Sequence, residues 1–191
     1  MSAWIEMISD EMASARLRVS LDNARTPHGT VDNVMRVHSL RPATMDGHVK
    51  LYRACLHDDS NTIPEWFQEV IASLVSVLNH CPYSYANHWA NARHLIGDEA
   101  RADAIEAALK GDVADAFEGR ELEALVHARK LTLHPGQMEK ADVDALRAAD
   151  WGDGEILEIN QIVGYFCYVN RLLNGLGVTT DGDVVGYYAE S

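Results

Sequence analysis

Cysteine is scarce in this chain. Three residues, Cys55, Cys81 and Cys167, are spread over 191 positions. An odd and widely spaced set excludes a disulfide framework and fits a reducing compartment, so a cytoplasmic location is expected. Long apolar runs are also missing. None approaches the roughly eighteen residues of a spanning helix, so no membrane contact is expected. The N-terminus, Met1-Ser2-Ala3-Trp4-Ile5-Glu6, has no basic stretch followed by an apolar one and does not read as a signal peptide. Positive charge is in deficit, with 16 Lys and Arg against 29 Asp and Glu. The net charge of −13 argues against nucleic acid or anionic membrane as a partner. There is no Gly-rich phosphate loop, no Gly-x-Ser-x-Gly elbow and no His-Glu-x-x-His, so no cofactor is expected. His80, Cys81 and His88 lack a second Cys/His pair at zinc-site spacing, so no metal is expected either. No Pro/Ser-rich linker divides the chain, and its length suits one domain with one sizeable core.

What is present is helical patterning. The period and punctuation predict an all-α, single-domain bundle spanning 1–191. Residues 1–30 form a helical N-terminal extension, with a loose amphipathic pattern over Ser2 to Leu21 and a connector at Asn23 to Thr30. Val31 to Leu40 and Thr44 to Leu56 read as two helices broken at Pro42. Pro64 and Glu65 suit a first turn. Trp66, Phe67, Val70, Ile71, Leu74, Val75 and Leu78 then make a wide apolar stripe almost free of charge, which predicts a buried helix that also meets another subunit. Further helices are predicted over Pro82 to Ile96, from Asp98 to Lys110, Arg120 to Leu133, Lys140 to Ala149 and Asp153 to Leu176. The tail, 179–191, is polar up to Val184-Val185-Gly186-Tyr187-Tyr188, which is expected to dock.

The chemistry concentrates in Cys81-Pro82-Tyr83-Ser84-Tyr85-Ala86-Asn87-His88. Pro82 suits the first helical position, which places Cys81 at the N-cap, where a helix dipole favours a thiolate. Ser84 and His88 follow at three and seven residues, on the same helical face. The plain reading of Cys81 is a buried free thiol, and of His88 a core histidine with its bonds satisfied. Their shared face is the argument for function. Glu69 lies in a narrow polar line with Ser73, Ser76 and His80. Solvent faces usually carry several charges, so this line reads as a confined seam in which a carboxylate suits acid–base work. Cys167 reads as core, and Cys55, near a turn, as a candidate resolving thiol.

Glu69, eleven residues, Cys81, two residues, Ser84, three residues, His88: this pattern resembles the alkylhydroperoxidase D and carboxymuconolactone decarboxylase-like superfamily, which carries a Glu, then Cys-x-x-Cys, then a His. Glu69-Val70-Ile71-Ala72, Val75-Ser76-Val77-Leu78-Asn79, Ala128-Arg129-Lys130-Leu131-Thr132 and Val169-Asn170-Arg171 resemble its peroxidase-related branch. The likeness runs from about Val31 to Val178. One position departs: the family's second cysteine is Ser84. The resemblance implies an alkylhydroperoxidase-like helical fold and a thiol-dependent peroxidase. In it Cys81 attacks a small hydroperoxide, Glu69 and His88 relay protons, and Tyr83 and Ser84 assist. The family's more reactive thiol is the second one, so the nucleophile role passes to Cys81 only in part. Without a second motif thiol, turnover is expected to be weak, and Cys55, Cys167 or an external thiol reductant must resolve the sulfenic acid. The resemblance also implies a homo-oligomer, a dimer or a trimer of dimers. Two alternatives stand beside it: a non-redox, decarboxylase-like enzyme, and a binding or scaffold protein with a vestigial site.

Overall fold

A computed structural model describes residues 2–188. Among the described residues it contains nine α-helices and no strand. They are α1 (Ala15–Asn23), α2 (Asn33–Arg36), α3 (Pro42–Leu56), α4 (Glu65–Leu78), α5 (Pro82–Ile96), α6 (Glu99–Lys110), α7 (Gly119–Leu133), α8 (Lys140–Ala148) and α9 (Asp153–Leu176). None is long and apolar enough to cross a membrane.

The centre of the bundle is α4. From Phe67 to Ser76 every residue is buried, which is the physical meaning of its missing charge. It packs against α5, α7 and α9. Its serines return their hydroxyls to their own helix: Ser73 Oγ donates to the Glu69 carbonyl at 2.7 Å and Ser76 Oγ to the Ala72 carbonyl at 2.8 Å. From Glu69 to Ser76 the polar line is therefore a seam inside the core, and His80 at its end is exposed. Phe67, Val70 and Ile71 are covered within the single chain, so these three leave no apolar surplus for another subunit. Trp66 lies at the edge, under the Arg101 guanidinium.

The α4–α5 joint positions the site. Asn79 ends α4, His80 turns through a left-handed φ of 51°, and Cys81 N–H reaches the Ser76 carbonyl at 2.9 Å. His80 N–H bonds the Val77 carbonyl at 3.0 Å, completing a Schellman motif. Cys81 then serves as N-cap of α5, with Pro82 at the first position. Gly97 ends α5 in the left-handed region and the Asp98 side chain caps α6 by accepting from Arg101 N–H at 2.9 Å.

Two predicted stretches differ. The N-terminal extension is not helical over Ser2 to Leu21: α1 starts only at Ala15, where Ser14 Oγ accepts from Leu17 N–H at 3.2 Å. The segment before it runs along the end of α9 instead, with Trp4 N–H on the Leu176 carbonyl at 2.7 Å. The Trp4 ring lies against Gly177, whose φ of 59° and lack of a Cβ permit that approach. The helix expected over Val31 to Leu40 is cut to Asn33–Arg36. Pro42 forces the preceding Arg41 out of the helical region (φ −143°), and Pro42 then opens α3. The tail docks as expected: Gly186 N–H donates to Asn87 Oδ1 at 3.1 Å and Tyr187 N–H to Asn91 Oδ1 at 2.6 Å, both on α5. The last residues of that tail, 189–191, lie outside the described residues.

Candidate active site

Glu69 on α4 and His88 on α5 meet across the helical hairpin. His88 Nδ1 lies 2.6 Å from Glu69 Oε2, and Glu69 is only 4% exposed. Asn91 Nδ2 donates to the other carboxylate oxygen at 3.1 Å. Both oxygens are thus engaged, as a buried carboxylate requires. With Nδ1 as the donor toward Glu69, Nε2 of a neutral His88 carries the basic lone pair. The Phe166 ring of α9 stands edge-on against the imidazole, centroids 4.5 Å apart, and limits its rotation.

His88 lines a cavity of about 220 Å³ between α3, α5, α9, the α1–α2 connector and the tail. Ser84, Tyr83, Asn87 and Asn91 share its α5 wall. Tyr52 and His57 of the α3 end, Asp32, Tyr165 and Tyr187 add polar and aromatic lining, Arg25, His28 and Arg53 add cationic or basic groups, and Val34, Val49, Val169 and Val184 lie between them. His57 Nε2 and Tyr52 Oη are 2.8 Å apart, and the His57 ring stacks on Tyr187. Burial holds His57 below the usual imidazole range. Asp32 is raised to about 6, by desolvation first and by the neighbouring Asp183 carboxylate second, with His28 opposing. Asp32 Oδ1 is buried without a hydrogen-bond partner.

Cys81 is placed differently. It is 1% exposed and is not part of the cavity wall. Burial pushes its thiol above the ordinary value, and the N–H and hydroxyl of Ser84 and the N–H of Tyr83 oppose that by stabilising the thiolate. Ser84, three residues on, reaches the cavity wall and Cys81 does not. Tyr83 lines the cavity too, but its hydroxyl is committed elsewhere. It donates to Asp183 Oδ2 at 2.5 Å and accepts from Val34 N–H at 3.1 Å, tying the tail to α2. The structure thus brings His88, held by Glu69, and Ser84 to the cavity, leaves Cys81 out of its wall, and commits the Tyr83 hydroxyl to Asp183 and Val34. Among the described residues no three His, Cys, Asp or Glu side chains are grouped to hold a metal ion. All three cysteines are free thiols.

Several lining residues escape a reading of the sequence. Asn91 is within its reach, since 84, 88 and 91 repeat on one helical face. Asp32, Tyr52, His57 and Tyr165 come from separate elements, and no local spacing announces them.

No protein-family model matches the chain, and no curated protein matches it. Solved structures do. The alkylhydroperoxidase AhpD core of a peroxidase-related protein from Ralstonia eutropha superposes with a TM-score of 0.82 at 21% identity, over 96% of this chain and 94% of that one. A peroxidase-related protein from a Silicibacter species gives 0.81 at 21% identity, over 95% and 93%. The chain has the alkylhydroperoxidase D-like fold of peroxidase-related proteins. The resemblance drawn from Glu69, Cys81, Ser84 and His88 is therefore matched at the level of fold. The debrominase Bmp8, in a cysteine-to-alanine variant complexed with 2,3,4-tribromopyrrole, shares the fold with a TM-score of 0.75 at 16% identity, over 95% and 94%. One fold carries more than one chemistry here, so the reaction must be argued from the site.

Proposed function

We propose that the cavity is the active site of an enzyme in which His88, oriented by Glu69, takes a proton from or returns one to a small bound molecule. The observation that carries this reading is the 2.6 Å Glu69–His88 contact on a histidine that lines the cavity. Asn91 positions Glu69, Glu69 fixes the ring, and Nε2 exchanges the proton. Ser84, one helical turn from His88, offers a hydroxyl to the same molecule. This is the non-redox alternative raised by the sequence, and the replacement of a cavity-wall thiol by a hydroxyl favours it.

A second reading, the thiol peroxidase, is favoured by one observation: Cys81 sits at the N-cap of α5, where the helix dipole opposes the burial that raises its thiol. There the thiolate attacks the distal oxygen of a hydroperoxide. The O–O bond breaks, sulfur is oxidised to a sulfenic acid, and the alkoxide leaves as alcohol with a proton from His88. An external thiol reduces the sulfenic acid. Alkylhydroperoxidase-like neighbours lend this reading support through their fold. The two readings separate on two variants. Turnover is measured on a panel of hydroperoxides with dithiothreitol and of small lactones and keto acids. On the first reading Cys81→Ser keeps turnover, while His88→Gln loses about 100-fold or more. Loss of turnover in Cys81→Ser, together with sulfenate trapping at Cys81, refutes it in favour of the thiol.

A further inference from the structure

A second polar chain ends in the cavity wall and has no part in the Glu69–His88 pair. His38 follows α2, His48 lies on α3 and Tyr165 on α9. His38 Nδ1 is 2.9 Å from Thr44 Oγ1, His38 Nε2 is 2.9 Å from His48 Nδ1, and His48 Nε2 is 2.8 Å from Tyr165 Oη. Both imidazoles are buried, and Tyr165 lines the cavity.

The direction of this chain follows from its outer end. Thr44 donates its one hydroxyl proton to the Arg41 carbonyl at 2.9 Å. Thr44 Oγ1 can then only accept, so His38 Nδ1 carries a proton. Burial keeps both rings neutral: His38 is held below the usual range, and His48 falls to about 3. A neutral ring has one donor and one acceptor nitrogen. His38 Nε2 is therefore an acceptor, His48 Nδ1 its donor, and His48 Nε2 an acceptor in turn. Tyr165 must donate to it. A chain that only satisfied buried groups would gain nothing from a fixed direction. Here the direction has a consequence at the inner end. The phenol proton is held toward His48, and among the described residues nothing donates to the Tyr165 oxygen.

We propose that the cavity takes a ring-sized molecule bearing an O–H or N–H group, whose proton is received by the Tyr165 oxygen at the end of this chain. The size argument is volumetric. A cavity of about 150 Å³ holds benzene, and this one offers about 220 Å³, room for a ring with small substituents. The walls suit such a body: Val34, Val49, Val169 and Val184 are apolar, and Tyr52 and Tyr187 present rings. The class rests on the reading that this cavity is the active site, and it adds which group of the ligand is recognised. Ligands that only accept are disfavoured at Tyr165, because turning its proton into the cavity would leave His48 Nε2 buried and unpartnered.

The test compares phenol with anisole, which keeps the ring and loses the donor. Binding to the whole protein is followed by calorimetric titration. Phenol is expected to bind about tenfold more tightly than anisole. In Tyr165→Phe the ratio should fall to within about twofold. In His48→Leu, which frees the phenol proton, it should move toward anisole. Equal binding of the two ligands to the native protein overturns the inference, as does binding of neither at millimolar concentration. A preference that survives in Tyr165→Phe overturns it as well. Should His48→Leu fail to fold, nitrogen-15 spectra of histidine-labelled native protein decide the same question. Neutral rings protonated at Nδ1 in both His38 and His48 are expected. A His48 protonated at Nε2 would mean that Tyr165 is the acceptor in that bond, and it refutes the proposal whatever the outcome at His88.

Discussion

Replacing Asp32 with asparagine should stabilise the protein at neutral pH and leave it unchanged in acid. Asp32 stands just before the four-residue α2, its side chain caps nothing, and Oδ1 is buried without a partner. Desolvation and the nearby Asp183 raise it from 3.8 to about 6. The sign follows from linkage. The folded state holds this proton more tightly than the unfolded chain, so well below pH 3.8 both are protonated and the site costs nothing. As pH rises from about 4 to about 6 the unfolded chain releases its proton first, and stability falls; above about 6 the full cost is present. The whole rise corresponds to roughly 3 kcal/mol, and partial exposure of the carboxyl to solvent reduces that to about 1–2 kcal/mol. The asparagine side chain keeps the shape and removes the charge. Urea unfolding of both proteins at pH 4 and pH 7.5 reads the difference. The expected gain for Asp32→Asn is about 1–2 kcal/mol at pH 7.5 and a small part of that at pH 4. An equal effect at both pH values, or a loss at pH 7.5, would refute the argument from buried charge.

Three further outcomes follow from the site and its supports. Ser84→Cys puts a second sulfur one turn from Cys81, and mild oxidation should then protect both thiols from alkylation; continued alkylation of both means that the N-cap geometry does not bring them together. His80→Gly relieves a left-handed φ of 51° at the α4–α5 joint and should raise unfolding free energy by about 0.5–1 kcal/mol, with no gain counting against strain there. Asn91→Ala removes the donor to Glu69 Oε1 and the acceptor for Tyr187 N–H, so a loss of about 1–3 kcal/mol is expected together with faster amide exchange at Tyr187. Unchanged exchange at that amide would show that the tail docks without Asn91.

Much of the helical framework was legible because its boundaries are written in residues with local effects. Pro82, Gly97 and Asp98 act within a turn of themselves, and α5 and the start of α6 fall where they place them. The absence of charge in α4 announced a core helix, and the spacing from Glu69 to His88 anticipated their meeting across the hairpin. Periodicity misled at the N-terminus, where the weak apolar repeat over Ser2 to Leu21 forms no helix before the Ser14 cap and the chain packs against α9 instead. Sequence also set the one-face relation of Cys81, Ser84 and His88, since that depends only on helical pitch. Which of the three meets the cavity depends on how α5 is rolled against α4 and α9, and that is decided by long-range packing. The tertiary structure alone therefore put Ser84 and His88 at the cavity and kept Cys81 out of its wall. It alone joined His38, His48 and Tyr165, from elements up to 127 positions apart, into one directed chain, because a hydrogen-bond chain between separate helices leaves no period in any one of them.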